Sequence, residues 1–206
     1  MRIVIVDYGT GNPVSVQNML RKIGVDSYVS HSPKEIADAQ KLILPGVGSF
    51  DPGMAQLENS GLVPVLNELI LEKKRPILGI CLGMQLMTKG SEEGNNPGLG
   101  WIDAETLRFN FDPSHRIRIP HMGWNVTMVK KPNILFDAHA TEERFYFVHS
   151  YHVACNDKRD ILTETTYGIE FASSFQKDNI VGVQFHPEKS HRFGYQLLKR
   201  FAEDFN

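Results

Sequence analysis

Across 206 residues the chain sets 22 Lys and Arg against 24 Asp and Glu, a formal net charge of -2, which gives no electrostatic reason to expect nucleic acid or an anionic membrane as partner. With 41% hydrophobic and 22% charged residues it reads as a globular protein able to bury a core, and its two cysteines, Cys81 and Cys155, are too few for a disulfide framework. The opening "MRIVIVDYG" starts directly as a strand without a signal-peptide segment, and no apolar run approaches the ~20 residues of a membrane span, so a cytoplasmic location is expected.

"RIVIV" is a continuous apolar run, the pattern of a strand buried on both faces. After "DYGTGN", Asn12 can cap a helix that opens with Pro13, runs through Val16, Met19, Leu20 and Ile23, and is closed by Gly24. "VDSYV" is a second strand, "SPKE" a capping box, and "KLILP" a third strand feeding a glycine-rich loop. Leu62, Val65, Leu66, Leu69 and Ile70 mark another amphipathic helix before the strand "PILGI". That strand runs into Cys81, and "LGMQLMTKG" continues as a helix stopped by Gly90.

Strands alternating with helices imply parallel pairing with right-handed crossovers. From about Glu105 the pattern turns strand-like, through "ERFYFVHSYHVAC", "DILTETTY", "EFASSFQ" and "NIVGVQF", before a final helix with Phe193, Leu197 and Phe201. The expected architecture is α/β: a doubly wound, mostly parallel open sheet with an antiparallel extension, one domain over residues 1–206. Functional loops of such a sheet lie at the carboxyl ends of the strands.

Three strand-end segments carry chemistry. Cys81 sits in G-x-C-x-G at a strand-to-helix junction, the thiol form of a nucleophile elbow, whereas a buried structural cysteine needs no glycine frame. In "GVQFHPEKS", Pro187 disfavours helical geometry at His186, and an extended chain puts His186 and Glu188 on one side. A carboxylate beside an imidazole is the third-member arrangement of a triad, although a surface turn would carry the same letters. "PGVGSF" places Gly46, Val47 and Gly48 after the third strand, where a backbone N–H can meet a developing oxyanion.

Together "LPGVGSF", "GICLGMQ" and "GVQFHPEKS" closely resemble the class I (triad-type) glutamine amidotransferases. Within that family "DYGTGN", "SEEGNNPGLGW", "PHMGWN" and "YFVHSYH" extend the likeness to the glutaminase subunits of imidazole glycerol phosphate synthases. The resemblance implies that Cys81 attacks the carboxamide of glutamine, with His186 as acid and base and Glu188 orienting it. It implies an oxyanion hole from Val47, Gly48 and Leu82, and substrate contacts from Gly46, Gln85 and the "HSY" segment, His149, Ser150 and Tyr151. It implies no metal and no organic cofactor. It further implies a (β/α)₈-barrel cyclase partner in histidine biosynthesis, with Asn12, Trp124, Tyr146 and Lys189 near the subunit interface.

Three alternatives stand beside this. "GNPVSV" and the tail "EKSHRFGYQLLKRF" resemble paralogues that supply ammonia for sugar amidation in surface-polysaccharide synthesis. A catalytically silent interaction subunit and a cysteine peptidase are the other two. "GTGNPV" lacks the last glycine of a dinucleotide fingerprint, having Val14 there. His149 and His152, if both in one strand, would point to opposite faces, and Cys155 has no frame beyond packing.

Overall fold

The computed structural model describes residues 2–112, 114, 116–137 and 143–205. Four strands, β1 (Ile3–Val6), β2 (Ser27–Ser30), β3 (Lys41–Gly46) and β4 (Ile77–Cys81), pair in parallel in the order β2-β1-β3-β4. Strand β11 (Ile180–Val183) joins β4 in parallel, so a late segment completes the sheet begun by the first half. All residues of β1, β3, β4 and β11 are buried, as their unbroken apolar runs require.

Alternate residues of these strands serve two cores. Ile3 and Ile5 pack with Val16 and Leu20 of helix α1 (Pro13–Lys22) and with Leu197, Leu198 and Phe201 of the last helix, α6 (His191–Glu203). Val4 and Val6 face Phe50, Met54 and Leu57 of α3 (Phe50–Asn59), reached after the short helix α2 (Pro33–Ala37). Leu66 of α4 (Val63–Asn67) and Met84 and Leu86 of α5 (Leu82–Leu86) complete that second face. Helices on both faces make the sheet doubly wound.

The extension begins where β11 pairs antiparallel with β10 (Ile169–Lys177), and continues through β9 (Ile161–Tyr167) and β6 (His121–Val129) to β7 (Glu143–His149). Strands β5 (Ala104–Arg108) and β8 (Tyr151–Cys155) pair together and branch from β10. Ser150 separates β7 from β8, dividing the stretch that reads as one strand.

Local chemistry departs from expectation in three places. Ser32 precedes α2 but makes no side-chain cap; Glu35 instead accepts from the Ser30 hydroxyl at 2.6 Å, which leaves no reciprocal capping box. The helix through Leu69 and Ile70 widens into a π turn, Glu68–Glu72. Helix α5 ends at Leu86, short of Gly90, because Leu99 N–H binds the Leu86 carbonyl at 2.8 Å and Gly98 N–H binds that of Lys89 at 2.8 Å. Long-range partners take the groups a longer helix would have used.

Lys41 opens β3 yet is buried, and its ammonium donates to the carbonyls of Phe201 at 3.1 Å, Ala202 at 2.7 Å and Phe205. The first two are end carbonyls that α6 cannot satisfy itself, and the third belongs to the chain just beyond it. No helix among the described residues is long and apolar enough to cross a membrane.

Candidate active site

Strand β4 delivers Cys81 with φ 54° and ψ -109°, a left-handed conformation that L residues rarely adopt. The strain falls on the cysteine itself, and the glycines around it supply close approach. A Cβ on Gly83 would lie 1.8 Å from the Leu44 carbonyl oxygen, and one on Gly79 2.7 Å from the Met87 methyl. One on Gly46 would lie 2.5 Å from the Tyr8 hydroxyl and 2.9 Å from the Gly83 nitrogen. Helix α5 therefore presses directly onto β3, and the sulfur sits at the turn that joins β4 to α5.

Register sets the neighbours. Gly46 lies opposite Cys81 in the β3–β4 pair, which brings the Val47–Gly48 loop beside the sulfur. Gly48 has φ +100°, and the Val47 carbonyl accepts from the Thr10 hydroxyl at 2.7 Å.

His186 follows β11 in extended geometry, with φ -103° and ψ 97°. Its N–H binds the Tyr146 carbonyl at 2.9 Å, and its carbonyl accepts from the Ser190 hydroxyl at 2.6 Å. Ser190 Oγ in turn accepts from the Tyr146 N–H at 3.0 Å, so β7 and the start of α6 grip the histidine backbone. Nδ1 of His186 meets Glu188 Oε1 at 2.8 Å, with both side chains buried. The expected strand alternation is not how they meet: Pro187–Lys189 form a 3₁₀ turn that folds Glu188 back onto the ring.

Nε2 of His186 is buried without a hydrogen-bond partner among the described residues, and the ring lines one cavity with Cys81. Burial alone would push the imidazole pKa down. The sulfur and Glu188 outweigh it and raise the ring to about 10. Burial, reinforced by Cys81, also pushes the Tyr8 hydroxyl up.

A cavity of about 410 Å³ opens at the sulfur. Its walls include Val47, Gly48, Leu82, Gln85, His149, Ser150, Tyr151, His186 and Lys189. Gly46 lies beneath this wall, and Glu188 stands behind the imidazole. A larger cleft of about 660 Å³ beside Phe109 and His152 contains neither Cys81 nor His186.

Trp124 is 46% exposed, its ring stacked on His191 at 5.5 Å and edge-on to Tyr146 at 6.3 Å. The Lys189 ammonium lies 5.9 Å from the Tyr146 ring, so three of the four expected interface residues form one surface group. Asn12 has a different task, accepting from Ser15 N–H at 3.1 Å as the cap of α1.

Two further residues at the site carry no functional mark of their own in the sequence. Gln184, fully buried, points its Nε2 at the Cys81 sulfur at 3.8 Å and accepts on Oε1 from Gln85 Nε2 at 3.1 Å. Glu93 lines the cavity and accepts from the Phe50 N–H at 2.8 Å. The sign available for both was their place inside the motifs "GVQFHPEKS" and "SEEGNNPGLGW".

His149 and His152 correct an expectation: both rings pack on Phe109, at 5.2 Å and 4.8 Å, and on Phe171. Ser150 interrupts the strand, so alternation does not carry across it. No group of three or more His, Cys, Asp or Glu among the described residues is placed to hold a metal ion.

The family model described as Glutamine amidotransferase class-I matches residues 4–205. The chain belongs to that family. It is 53% identical over 201 residues to imidazole glycerol phosphate synthase subunit HisH 2 of Methanococcus maripaludis, covering 98% of each chain. Subunit HisH 2 of Pseudomonas aeruginosa is 48% identical, again over 98% of each. Among solved structures, a glutamine amidotransferase superposes with TM-score 0.76 over 97% of both chains at 16% identity. PurLQS from Thermotoga maritima gives 0.73, over 97% of this chain and 96% of that one, also at 16%. At that identity the likeness speaks for the amidotransferase fold.

Proposed function

We propose that Cys81, His186 and Glu188 are the catalytic triad of a glutaminase that feeds ammonia to a synthase. The sulfur attacks the side-chain carboxamide of glutamine, and His186 gives its Nε2 proton to the departing nitrogen, leaving a γ-glutamyl thioester and ammonia. Water then attacks the thioester, giving its proton to His186, and glutamate leaves. The N–H groups of Val47 and Leu82, with Gly48 shaping the loop, receive the oxyanion. Gln85 has its Nε2 committed to Gln184 and Tyr151, which leaves Oε1 for the substrate. Glu93 pairs with the α-ammonium, and Gly46, His149, Ser150 and Tyr151 shape the pocket for the amino-acid end.

The observation that carries this reading is the His186 imidazole, held by Glu188 on Nδ1 at 2.8 Å and lining one cavity with Cys81. The same arrangement supplies a switch. A sulfur held in a thioester no longer draws a proton onto the ring, which removes one of the two influences that raise the imidazole pKa against burial. An acid in the first half-reaction becomes a base in the second.

Relatives named as imidazole glycerol phosphate synthase subunits, at 42% to 53% identity along nearly the whole chain, support a cytoplasmic role in histidine biosynthesis. The partner is a (β/α)₈-barrel cyclase that seats on Trp124, Tyr146 and Lys189 with Asn12 nearby and receives ammonia internally. It makes imidazole glycerol phosphate with release of AICAR. The departures in "GNPVSV" and the tail favour a second reading, a paralogue supplying ammonia for sugar amidation.

The test is a glutaminase assay with and without the co-purified barrel, adding the imidazole precursor or a separate amidotransferase with a nucleotide sugar. Stimulation by the imidazole precursor is expected. Stimulation by the sugar system alone selects the second reading. Failure of Cys81 to react stoichiometrically with an electrophilic glutamine analogue removes both.

A further inference from the structure

On the antiparallel side of the cavity lies a line of hydrogen bonds whose direction is forced. The Tyr151 carbonyl can only accept, so His149 carries its proton on Nδ1, 2.7 Å away. Nε2 of His149 is then an acceptor, and His121 must donate to it from Nδ1 at 3.0 Å. Nε2 of His121 therefore accepts from Asn125 Nδ2 at 3.2 Å. Asn125 is held by two backbone groups: Nδ2 donates to the Thr166 carbonyl at 3.0 Å, and Oδ1 accepts from Val126 N–H at 2.8 Å. The Tyr151 carbonyl thus fixes both tautomers, and Thr166 and Val126 fix the amide that meets them.

The line is rigid and neutral. The His121 ring is stacked on Tyr167 at 4.0 Å and on Phe147 at 4.7 Å, which prevents it from swinging. Burial lowers the imidazole pKa of His149 to about 3 and that of His121 to about 4, so both rings stay uncharged at neutral pH. A proton relay has no terminus here, because a backbone carbonyl does not pass a proton on. What such a line can transmit is orientation.

Beyond Tyr151 the bonds continue to the nucleophile. The same carbonyl accepts from Gln85 Nε2 at 3.2 Å, and Gln85 leads through Gln184 to the sulfur. Ser150 and Tyr151 line the cavity, whereas His121 and Asn125 do not touch it. We propose that His121 and Asn125 are positioning residues for glutamine hydrolysis: through His149 they fix the Ser150–Tyr151 wall and, through Gln85 and Gln184, its alignment on Cys81. This rests on the reading of the cavity as a glutaminase site.

The test uses the full chain with its co-purified barrel and two variants at one position. His121→Phe keeps a ring between Phe147 and Tyr167 but removes both nitrogens. His121→Asn places an N–H near the lost Nδ1. His121→Phe is expected to raise KM for glutamine about tenfold with kcat within about threefold, the loss of one hydrogen bond read as binding. His121→Asn should restore most of it. Imidazole nitrogen shifts of the unmodified protein should show both rings as the Nδ1–H tautomer.

An unchanged KM in His121→Phe overturns the proposal, as does His121→Asn being equally impaired, which is the mark of packing alone. Nitrogen shifts showing Nε2–H on either ring overturn it even if His121→Phe does not fold. Cys81→Ala, assayed alongside, separates the two readings. Full activity there overturns the site and the positioning line together, whereas an inactive Cys81→Ala with an indifferent His121→Phe overturns only the line.

Discussion

Glu188 reaches Nδ1 of His186 at 2.8 Å from inside a one-turn 3₁₀ segment, two residues further along the chain. Closing so short a loop costs little entropy, so orienter and imidazole are set together by local backbone. The turn is itself pinned from behind, since a Cβ on Gly194 would come within 1.8 Å of the Pro187 carbonyl oxygen. Glu188→Gln keeps an oxygen in place but removes the charge, and His186 then loses one of the two influences that raise its pKa. In the proposed first half-reaction the ring must be protonated, so activity is expected to fall as pH rises through that pKa. The alkaline limb of kcat/KM should therefore move to lower pH in Glu188→Gln, with a rate loss of about 10²–10⁴. An unmoved alkaline limb would contradict the assignment.

Cys81→Ala should lower glutamine hydrolysis by about four orders of magnitude or more while leaving the fold intact. Glutamate release by the purified variant and its circular dichroism spectrum check the two halves of that statement. Loss of activity with loss of structure would speak against a purely chemical role.

Gly83→Ala tests the close approach of α5 to β3. Its Cβ would sit 1.8 Å from a backbone oxygen, which no side-chain rotation relieves. We expect destabilisation of about 3 kcal/mol, at the upper end for overpacking, measured by urea unfolding. Gly48→Ala is a useful contrast, since its Cβ would meet nothing within 4 Å and its cost comes only from φ +100°.

His121 links stability to acid. Its folded pKa is about 4 against an ordinary 6.5, so between those values the unfolded chain holds a proton at this site that the folded chain does not. Stability therefore falls as pH drops through that window. In His121→Phe the pH dependence between about 6 and 4.5 should be shallower by up to one proton, read from urea midpoints at several pH values. An identical slope would show that His121 titrates normally in the folded chain.

Much of the fold was legible because local and long-range signals agree in the first half. Each parallel strand is buried on both faces and so appears as an unbroken apolar run, and Asn12 and Pro13 mark α1 unambiguously. Cys81 and His186 stood out because strand ends rarely carry such residues in glycine or proline frames. The rest was hidden for identifiable reasons. Strand β6 mixes exposed Met122, Trp124 and Met128 with buried His121 and Thr127, so its alternation lacks an apolar inner face. The end of α5 is decided by Leu99 and Gly98, residues beyond the helix, and no window around Gly90 contains that information. Gln184 looks like any strand glutamine until the register of β11 against β4 puts it beside the sulfur.

Lys41 closes a circuit that no single motif reveals. Helix α6 starts at the Ser190 hydroxyl that holds His186, and its far end is clasped by the Lys41 ammonium. Lys41 opens the strand whose final residue, Gly46, lies opposite Cys81. One helix and one strand thus act as two arms of a calliper, spanning the molecule between His186 and Cys81. Lys41→Met would leave the α6 end carbonyls without their donor and unfasten the arms at their far end, a reason for an otherwise costly buried ammonium to sit so far from the chemistry.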